Sequence, residues 1–328
     1  MRTRFATLTA GLAAMAILAA CGSEADQPGT AAAGATADAT AGAFPMTIDN
    51  CGRDVTFDSP PQRIVTVGSV AAPLVAAAGA ADRIVVRTFE TASFPGEYGP
   101  ALDGIEIVAP SAELAREEII ARTPDLVISY QGAATTADDL AAAGIPLIAS
   151  RGYCQDAAGD YEDIFADIEL YGRLFGTTKA ASAQVRALRK RVSAVQEQVP
   201  ADAPSRTAAA LIVSRDDTSL SAYGNTSTID KQMETLGLTN AFDDINQRNF
   251  EASIEALIDR DPQVLILLTQ GDQTPHSVEQ AILSRPELRS LAAVRDHRIV
   301  IVPFGYTGPG PVAVQGLEVL ADKLNALG

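Results

Sequence analysis

Three arginines interrupt otherwise apolar sequence where predicted strands end: Arg87, Arg151 and Arg215. A guanidinium offers a planar fork of N–H donors that pairs bidentately with carboxylate, phosphate or catecholate oxygens. Aromatic residues follow the same or neighbouring strand ends: Phe89, Tyr130, Tyr153, Tyr223, Phe304 and Tyr306. Tyrosine supplies a flat amphipathic surface for a conjugated ligand. Ser69, Gln131 and Gln270 stand at further strand ends and add neutral hydrogen-bonding groups. In open α/β sheets ligands sit in the crevice beyond the carboxyl ends of the strands. These residues therefore predict a cleft for an anionic small molecule, with Arg151-Gly152-Tyr153 as its foremost group.

Other chemistries find little support. The formal charge is −16 over 328 residues. Binding a phosphate backbone needs clustered cations, so nucleic acid is not expected as a partner. The chain has two histidines, His276 and His297, both in predicted surface turns. Holding a bare zinc or manganese ion takes convergent imidazoles and carboxylates, so no metal site is expected. A serine hydrolase would need a base beside its nucleophile, and no GxSxG occurs. Gly305–Pro311 is glycine-rich but lacks the lysine and spacing of a phosphate loop, so it reads as a cleft-edge loop. Neither an enzyme activity nor a resident cofactor is expected.

The elements that must position these residues are legible as an alternation. Phe44–Phe57 reads as a hairpin turning at Asn50-Cys51-Gly52-Arg53. Strands at Arg63–Val67, Ile84–Val86, Leu126–Ser129 and Pro146–Ser150 then alternate with helices at Pro73–Ala78, Ala112–Arg122 and Thr136–Ala143. A long helix follows, Thr178–Val199, with Thr178 suited to cap it and Pro200 to end it. Its Val185, Leu188, Val192, Val195 and Val199 form one apolar stripe. Beyond it the alternation restarts, with strands at Ala208–Ser214, Val264–Leu268 and Ile299–Val302. Helices are predicted there at Ile229–Leu236, Ile254–Arg260, Val278–Ser284, Glu287–Ala292 and Val312–Ala326. The expected fold is α/β: two Rossmann-like lobes with parallel sheets, 44–176 and 201–328, joined by the single long helix at 177–200.

Arg2 and Arg4 precede an apolar run from Leu8 to Ala20 that is too short to span a bilayer, the pattern of an export signal over residues 1–20. Leu18-Ala19-Ala20-Cys21 resembles the lipobox of bacterial lipoproteins, which makes Cys21 the expected lipidated first residue. Residues 21–43 bring no large apolar side chain and read as a disordered tether. With Cys21 lipidated outside the membrane, Cys51 and Cys154 remain, and an even pair in an oxidising compartment suggests a disulfide.

Two segments overlay without a gap, Arg116–Ile128 and Ile254–Ile266. Glu117 stands seven residues before Pro124, and Glu255 seven before Pro262. Glutamate early in a helix and proline before a strand are ordinary helix grammar, but the pairing suggests equivalent lobes.

The whole resembles the substrate-binding lipoproteins of ABC importers that serve ferric siderophores, cobalamin and haem. Pro60-Pro61-Gln62-Arg63-Ile64-Val65, Leu74–Ile84, Ala121–Ile128 and Arg298–Pro303 carry the resemblance, which spans about Phe44 to Leu327. It implies a helical-backbone binding-protein fold and a monomer lipid-anchored on the extracytoplasmic face. Its partners would be a permease with ATPase subunits. One acidic residue per lobe meets permease arginines in that family, and Glu117 and Glu255 hold the matching positions. The favoured ligand is a ferric siderophore, with cobalamin and haem as alternatives. The Asn50-Cys51-Gly52 start and the acidic helix Asp160–Phe175 also resemble importers of deazaflavin cofactor precursors. A non-transport binding or sensory lipoprotein of the same fold stays open.

Overall fold

Apolar runs bounded by glycine, proline and acidic turns become strands in this chain, and runs with helical spacing become helices. The computed structural model describes residues 42–90, 96–154, 157, 159–200, 205–214 and 219–327. The leader, Cys21 and the tether as far as residue 41 lie outside the described residues, as does Arg215. No helix among the described residues is long and apolar enough to cross a membrane.

The chain enters through the expected hairpin, β1 (Met46–Asn50) and β2 (Arg53–Phe57). Cys51 and Gly52 turn it with φ of 52° and 79°, the left-handed pair that matches strand twist. Four parallel strands follow: β3 (Ile64–Val67), β4 (Ile84–Thr88), β5 (Leu126–Ser129) and β6 (Leu147–Ala149), in the order β4-β3-β5-β6. β3 and β5 are buried throughout, which is why they read as unbroken apolar runs.

The hairpin closes the free edge of this sheet. The Asn50 side-chain amide donates to the Ala149 carbonyl at 2.7 Å, and its oxygen accepts from Ala149 N–H at 2.8 Å. An amide side chain thus stands in for a neighbouring strand on β6. Beside it Cys51 and Cys154 bring their sulfurs to bonding distance, with Cα atoms 5.2 Å apart.

Helix Tyr161–Phe175 ends at Gly176 in the left-handed conformation, φ 71°, which allows the sharp reversal into the strut. The strut runs Thr178–Gln196, shorter than expected. Thr177 occupies the cap position, and its hydroxyl donates instead to the Ala78 carbonyl at 2.6 Å, tying the strut to the first lobe. The last turn tightens to i→i+3 bonds, Gln198 to Val195 and Val199 to Gln196, because Pro200 disfavours helix in the residue before it. A Cβ on Gly172 would lie 2.4 Å from Ala181 Cβ, so glycine permits the two helices to cross this closely. Arg191 gives Glu318 a bidentate pair at 2.7 Å and reaches Glu97 at 2.8 Å, joining strut, closing helix and first lobe.

The second sheet contains β7 (Arg206–Val213), β8 (Leu220–Tyr223), β9 (Leu238–Asn240), β10 (Asn249–Ala252), β11 (Val264–Thr269) and β12 (Ile299–Pro303). Its order is β10-β8-β7-β11-β12, with β9 beside the start of β7. β7, β11 and β12 are parallel as expected; an unpredicted β9 is parallel to β7, β8 runs antiparallel to β7, and β10 antiparallel to β8. The alternating pattern did not reveal these last strands because each has three or four residues and no apolar run.

Two helices also depart from expectation. The segment predicted at Ala112–Arg122 is helical only over Arg116–Ala121, after a left-handed Ala109. The segment predicted at Glu287–Ala292 is a 3-10 turn, Pro286–Ser290, then a short helix, Ala292–Arg295.

The internal echo extends to the backbone. A left-handed residue precedes the proline in both copies, Thr123 at 48° and Asp261 at 38°. Asp125 N–H then donates to Arg63 O at 3.0 Å, and Gln263 N–H to Thr207 O at 2.9 Å, each onto the neighbouring parallel strand or its start. The described residues between 42 and 327 form one compact unit. One apolar cluster runs through Leu74 and Ile128 of the first lobe, Leu188 of the strut, and Ile266 and Leu317 of the second, and each lobe has a further cluster of its own, around Val127 in the first and Leu267 in the second.

Candidate functional site

Three parallel strands deliver rings to one edge of the first sheet. Phe89 follows β4 with φ 55°, a strained backbone for an aromatic residue. Its ring lies 6.1 Å from that of Tyr130, just past β5, and Tyr130 lies 5.8 Å from Tyr153, beyond β6. Gly68, at φ 87° after β3, leaves room beneath: a Cβ there would touch the Tyr130 ring at 3.4 Å. The Tyr130 hydroxyl donates to Glu113, whose second oxygen accepts from Ala134 N–H at 2.7 Å. Burial and that carboxylate push the Tyr130 phenol well above its ordinary range.

The second lobe meets this row with a cation. Arg248, immediately before β10, places its guanidinium over the Tyr153 ring at 4.8 Å. Between them lies a cavity of about 290 Å³ whose lining includes Gly152, Tyr153, Thr226, Asn246 and Arg248. The glycine-rich loop packs against the first lobe: Gly308 and Gly310 lie on Val70, and a Cβ on Gly152 would stand 2.3 Å from Pro309. A larger hollow of about 780 Å³ sits at the far end of the strut, with no aromatic ring in its lining. Recognition chemistry therefore singles out the smaller cavity.

The periplasmic binding protein family matches residues 64–306. The chain belongs to that family. A Saccharomonospora viridis structure, described as an ABC-type Fe3+-hydroxamate transport system, shares 35% identity, covers 86% of this chain and 99% of its own, and superposes with a TM-score of 0.76. An uncharacterised ABC transporter substrate-binding lipoprotein, YvrC of Bacillus subtilis, is 25% identical over 99% of this chain and 98% of its own. A cobalamin-binding protein of Halobacterium salinarum is 27% identical over 99% of this chain and 85% of its own.

As a periplasmic binding protein the chain has its expected residues distributed unevenly about the cleft. Phe89, Tyr130 and Tyr153 come together. Ser69 is half-buried beside Val70, while Gln131 and Arg151 are exposed. Arg87 lies inside β4, which runs two residues beyond the predicted end, and is buried in a 3.4 Å pair with Glu90. Burial pushes the Glu90 carboxyl up to about 7 against the pull of Arg87. Tyr223 is 1% exposed within β8. Tyr306 is also buried, its carbonyl taken by Gln232 at 2.8 Å, and Gln270 is half-buried with its N–H on Gln273. Sequence reading missed Arg248 and Thr226: they flank strands too short and polar to announce themselves.

Glu117 and Glu255 are exposed, each second in its helix and in opposite lobes. No group of three His, Cys, Asp or Glu side chains close enough to hold a metal ion occurs among the described residues.

Asp167 holds the turn that carries Tyr153. It is 3% exposed, and its Oδ2 accepts Arg151 N–H at 2.8 Å. Burial raises its carboxyl to about 7; the Arg151 contacts pull down, and nearby Asp163 adds to the rise. A raised acid binds its proton more tightly folded than unfolded. This contribution is therefore fully present below the unfolded value near 3.8 and is lost as pH rises through about 7. Asp167→Asn keeps an acceptor for Arg151 and removes the titration. Unfolding between pH 5 and 7.5 should show a flatter pH slope in the variant, by up to about 1.4 kcal/mol per pH unit. Parallel curves for variant and wild type would refute the assignment.

Proposed function

We propose that this chain is the lipid-anchored, extracytoplasmic solute-binding component of an ABC importer and that it captures an anionic chelate, with a ferric siderophore favoured. The observation that carries this reading is the row Phe89–Tyr130–Tyr153 facing Arg248 across the lobes. Rings offer a platform to a conjugated ligand, and the guanidinium offers charge and a fork of donors. The 35% identical relative is described as an ABC-type Fe3+-hydroxamate transport system, which supports a ferric siderophore; the anionic character rests on Arg248. A cobalamin reading has its own support in the Halobacterium relative.

Binding rather than catalysis is the proposed action. The chain would anchor through Cys21, act as a monomer, and hand its ligand to a permease whose ATPase subunits supply the energy. Glu117 and Glu255 are its proposed docking carboxylates, and Cys51 and Cys154 its proposed disulfide. One stiff helix and the Arg191 brace limit the closing motion. The cavity is just below the roughly 300–1,000 Å³ of ordinary ligand pockets. A bulky chelate therefore enters by parting the lobes or withdrawing the loop at Gly308–Gly310.

Optical and native-mass titration of the mature chain tests the reading with ferric tricatecholate, ferric trihydroxamate, cobalamin, haemin and a deazaflavin. Saturable one-to-one binding of a ferric chelate is expected. Binding of cobalamin, haemin or deazaflavin alone would replace the ligand and keep the importer. Silence across the panel would favour a non-transport lipoprotein.

A further inference from the structure

Arginines in this acidic chain commonly meet carboxylates: Arg53, Arg122, Arg189, Arg191 and Arg260 each do. Arg248 is different. Among the described residues its guanidinium has no ion pair and no hydrogen bond; its contact is the Tyr153 ring. It is half-buried, and it lines the cavity between the lobes. A guanidinium seated on an aromatic face keeps its N–H donors free, because they radiate in the plane of the group rather than toward the ring. The cavity also contains Thr226, Asn246 and Asn249, short polar side chains able to complete an oxyanion's hydrogen bonds. Among the described residues, a pre-positioned cation without a counter-charge, in a cavity otherwise lined by neutral groups, is the complement of a small oxyanion.

We propose that Arg248 is the specificity-determining residue of this cleft and that it takes a carboxylate or phosphate group of the ligand. This rests on the solute-binding reading given above and narrows its substrate class. The Tyr153 ring, with the guanidinium carbon 4.8 Å from its centroid, holds the cation at the cavity. At about 290 Å³ the cavity suits an ionised group rather than a whole chelate. The conjugated remainder of the ligand then extends along Tyr130 and Phe89. Ligands without an accessible oxyanion forfeit the bidentate pair and leave the cation desolvated, which discriminates against them.

Two measurements on the full mature chain test this, using wild type, Arg248→Gln and Arg248→Lys. In the first, melting temperature is followed against citrate at constant ionic strength, with chloride as control. Citrate should raise the wild-type melting temperature; Arg248→Gln should abolish the rise, and Arg248→Lys should restore only part, since an ammonium lacks the planar fork. In the second, affinities are compared for a trianionic ferric tricatecholate and a neutral ferric trihydroxamate. The loss in Arg248→Gln should be at least tenfold greater for the anionic chelate. No citrate response in wild type, equal responses in wild type and Arg248→Gln, or equal losses for the two chelates each overturn the proposal. Chelate binding that ignores Arg248 removes this residue and keeps the importer reading. Arg248-dependent citrate binding with no chelate bound keeps the anion site and removes the siderophore. Arg248→Lys preserves charge and carries the comparison if the glutamine variant does not fold.

Discussion

Cells carrying Glu117→Lys and Glu255→Lys together should lose uptake, while the purified variant binds ligand as the wild type does. Both carboxylates are exposed and stand at the same place in equivalent helices of the two lobes. Arg116 lies 3.5 Å from Glu117, but that side chain is 77% exposed. Exposed pairs contribute about 0–1 kcal/mol, so Arg116 does not remove Glu117 from use by a partner. Two acidic points on separate lobes can register the protein against a two-fold permease, and reversing both turns attraction into repulsion. Removing one partner of a close interfacial charge pair commonly costs about 2–5 kcal/mol, so two reversals exceed a hundredfold loss of complex. The competing role, helix-dipole stabilisation, is worth about 0.3–1 kcal/mol per residue and would show as a small fall in melting temperature with uptake retained. Radiolabelled uptake beside ligand titration separates the two. Lost ligand binding, or normal uptake in the double variant, would end the docking role.

The same helices show what sequence could and could not convey. Glu117 and Glu255, Pro124 and Pro262, and the strands behind them were legible because helix starts and stops and buried parallel strands are written in local residue types. So were the strut's stripe and the rings at the strand ends. Arg248 was not. It stands before a four-residue strand whose pairing with β8 is antiparallel and has no local signature. Its meaning lies in Tyr153, ninety-odd residues earlier, and that proximity arises only when the lobes are assembled. Arg87 failed in the opposite direction. It looked like a strand-end cation, but β4 extends two residues further and buries it against Glu90. A shift of two residues at a strand end was enough to move an arginine from cleft candidate to buried ion pair.

Replacing both Cys51 and Cys154 with alanine should lower stability by about 4–5 kcal/mol in the chain-entropy account, since a link across 103 residues removes a large share of unfolded freedom. For a chain of this size that corresponds to a fall of roughly 10 °C in melting temperature. The link has a second consequence, because Cys154 directly follows the turn that carries Tyr153. That turn is held at one end by Asp167 and, through the proposed disulfide, at the other by Cys154; with the link gone, its Cys154 end loses that tether while the Asp167 bond and the packing of Gly152 on Pro309 remain. The Asn50–Ala149 bonds keep the hairpin on β6 in the variant, so the sheet edge should stay covered while the Tyr153 ring loosens. Ligand affinity should therefore fall along with stability, whereas Asn50→Ala should reduce stability with the ring still held. Reductant supplies the control within one protein: wild type treated with dithiothreitol should melt where the double variant melts, and the double variant should ignore the reagent. A wild-type melting temperature indifferent to reductant would show that the two sulfurs, though adjacent, do not staple the native chain.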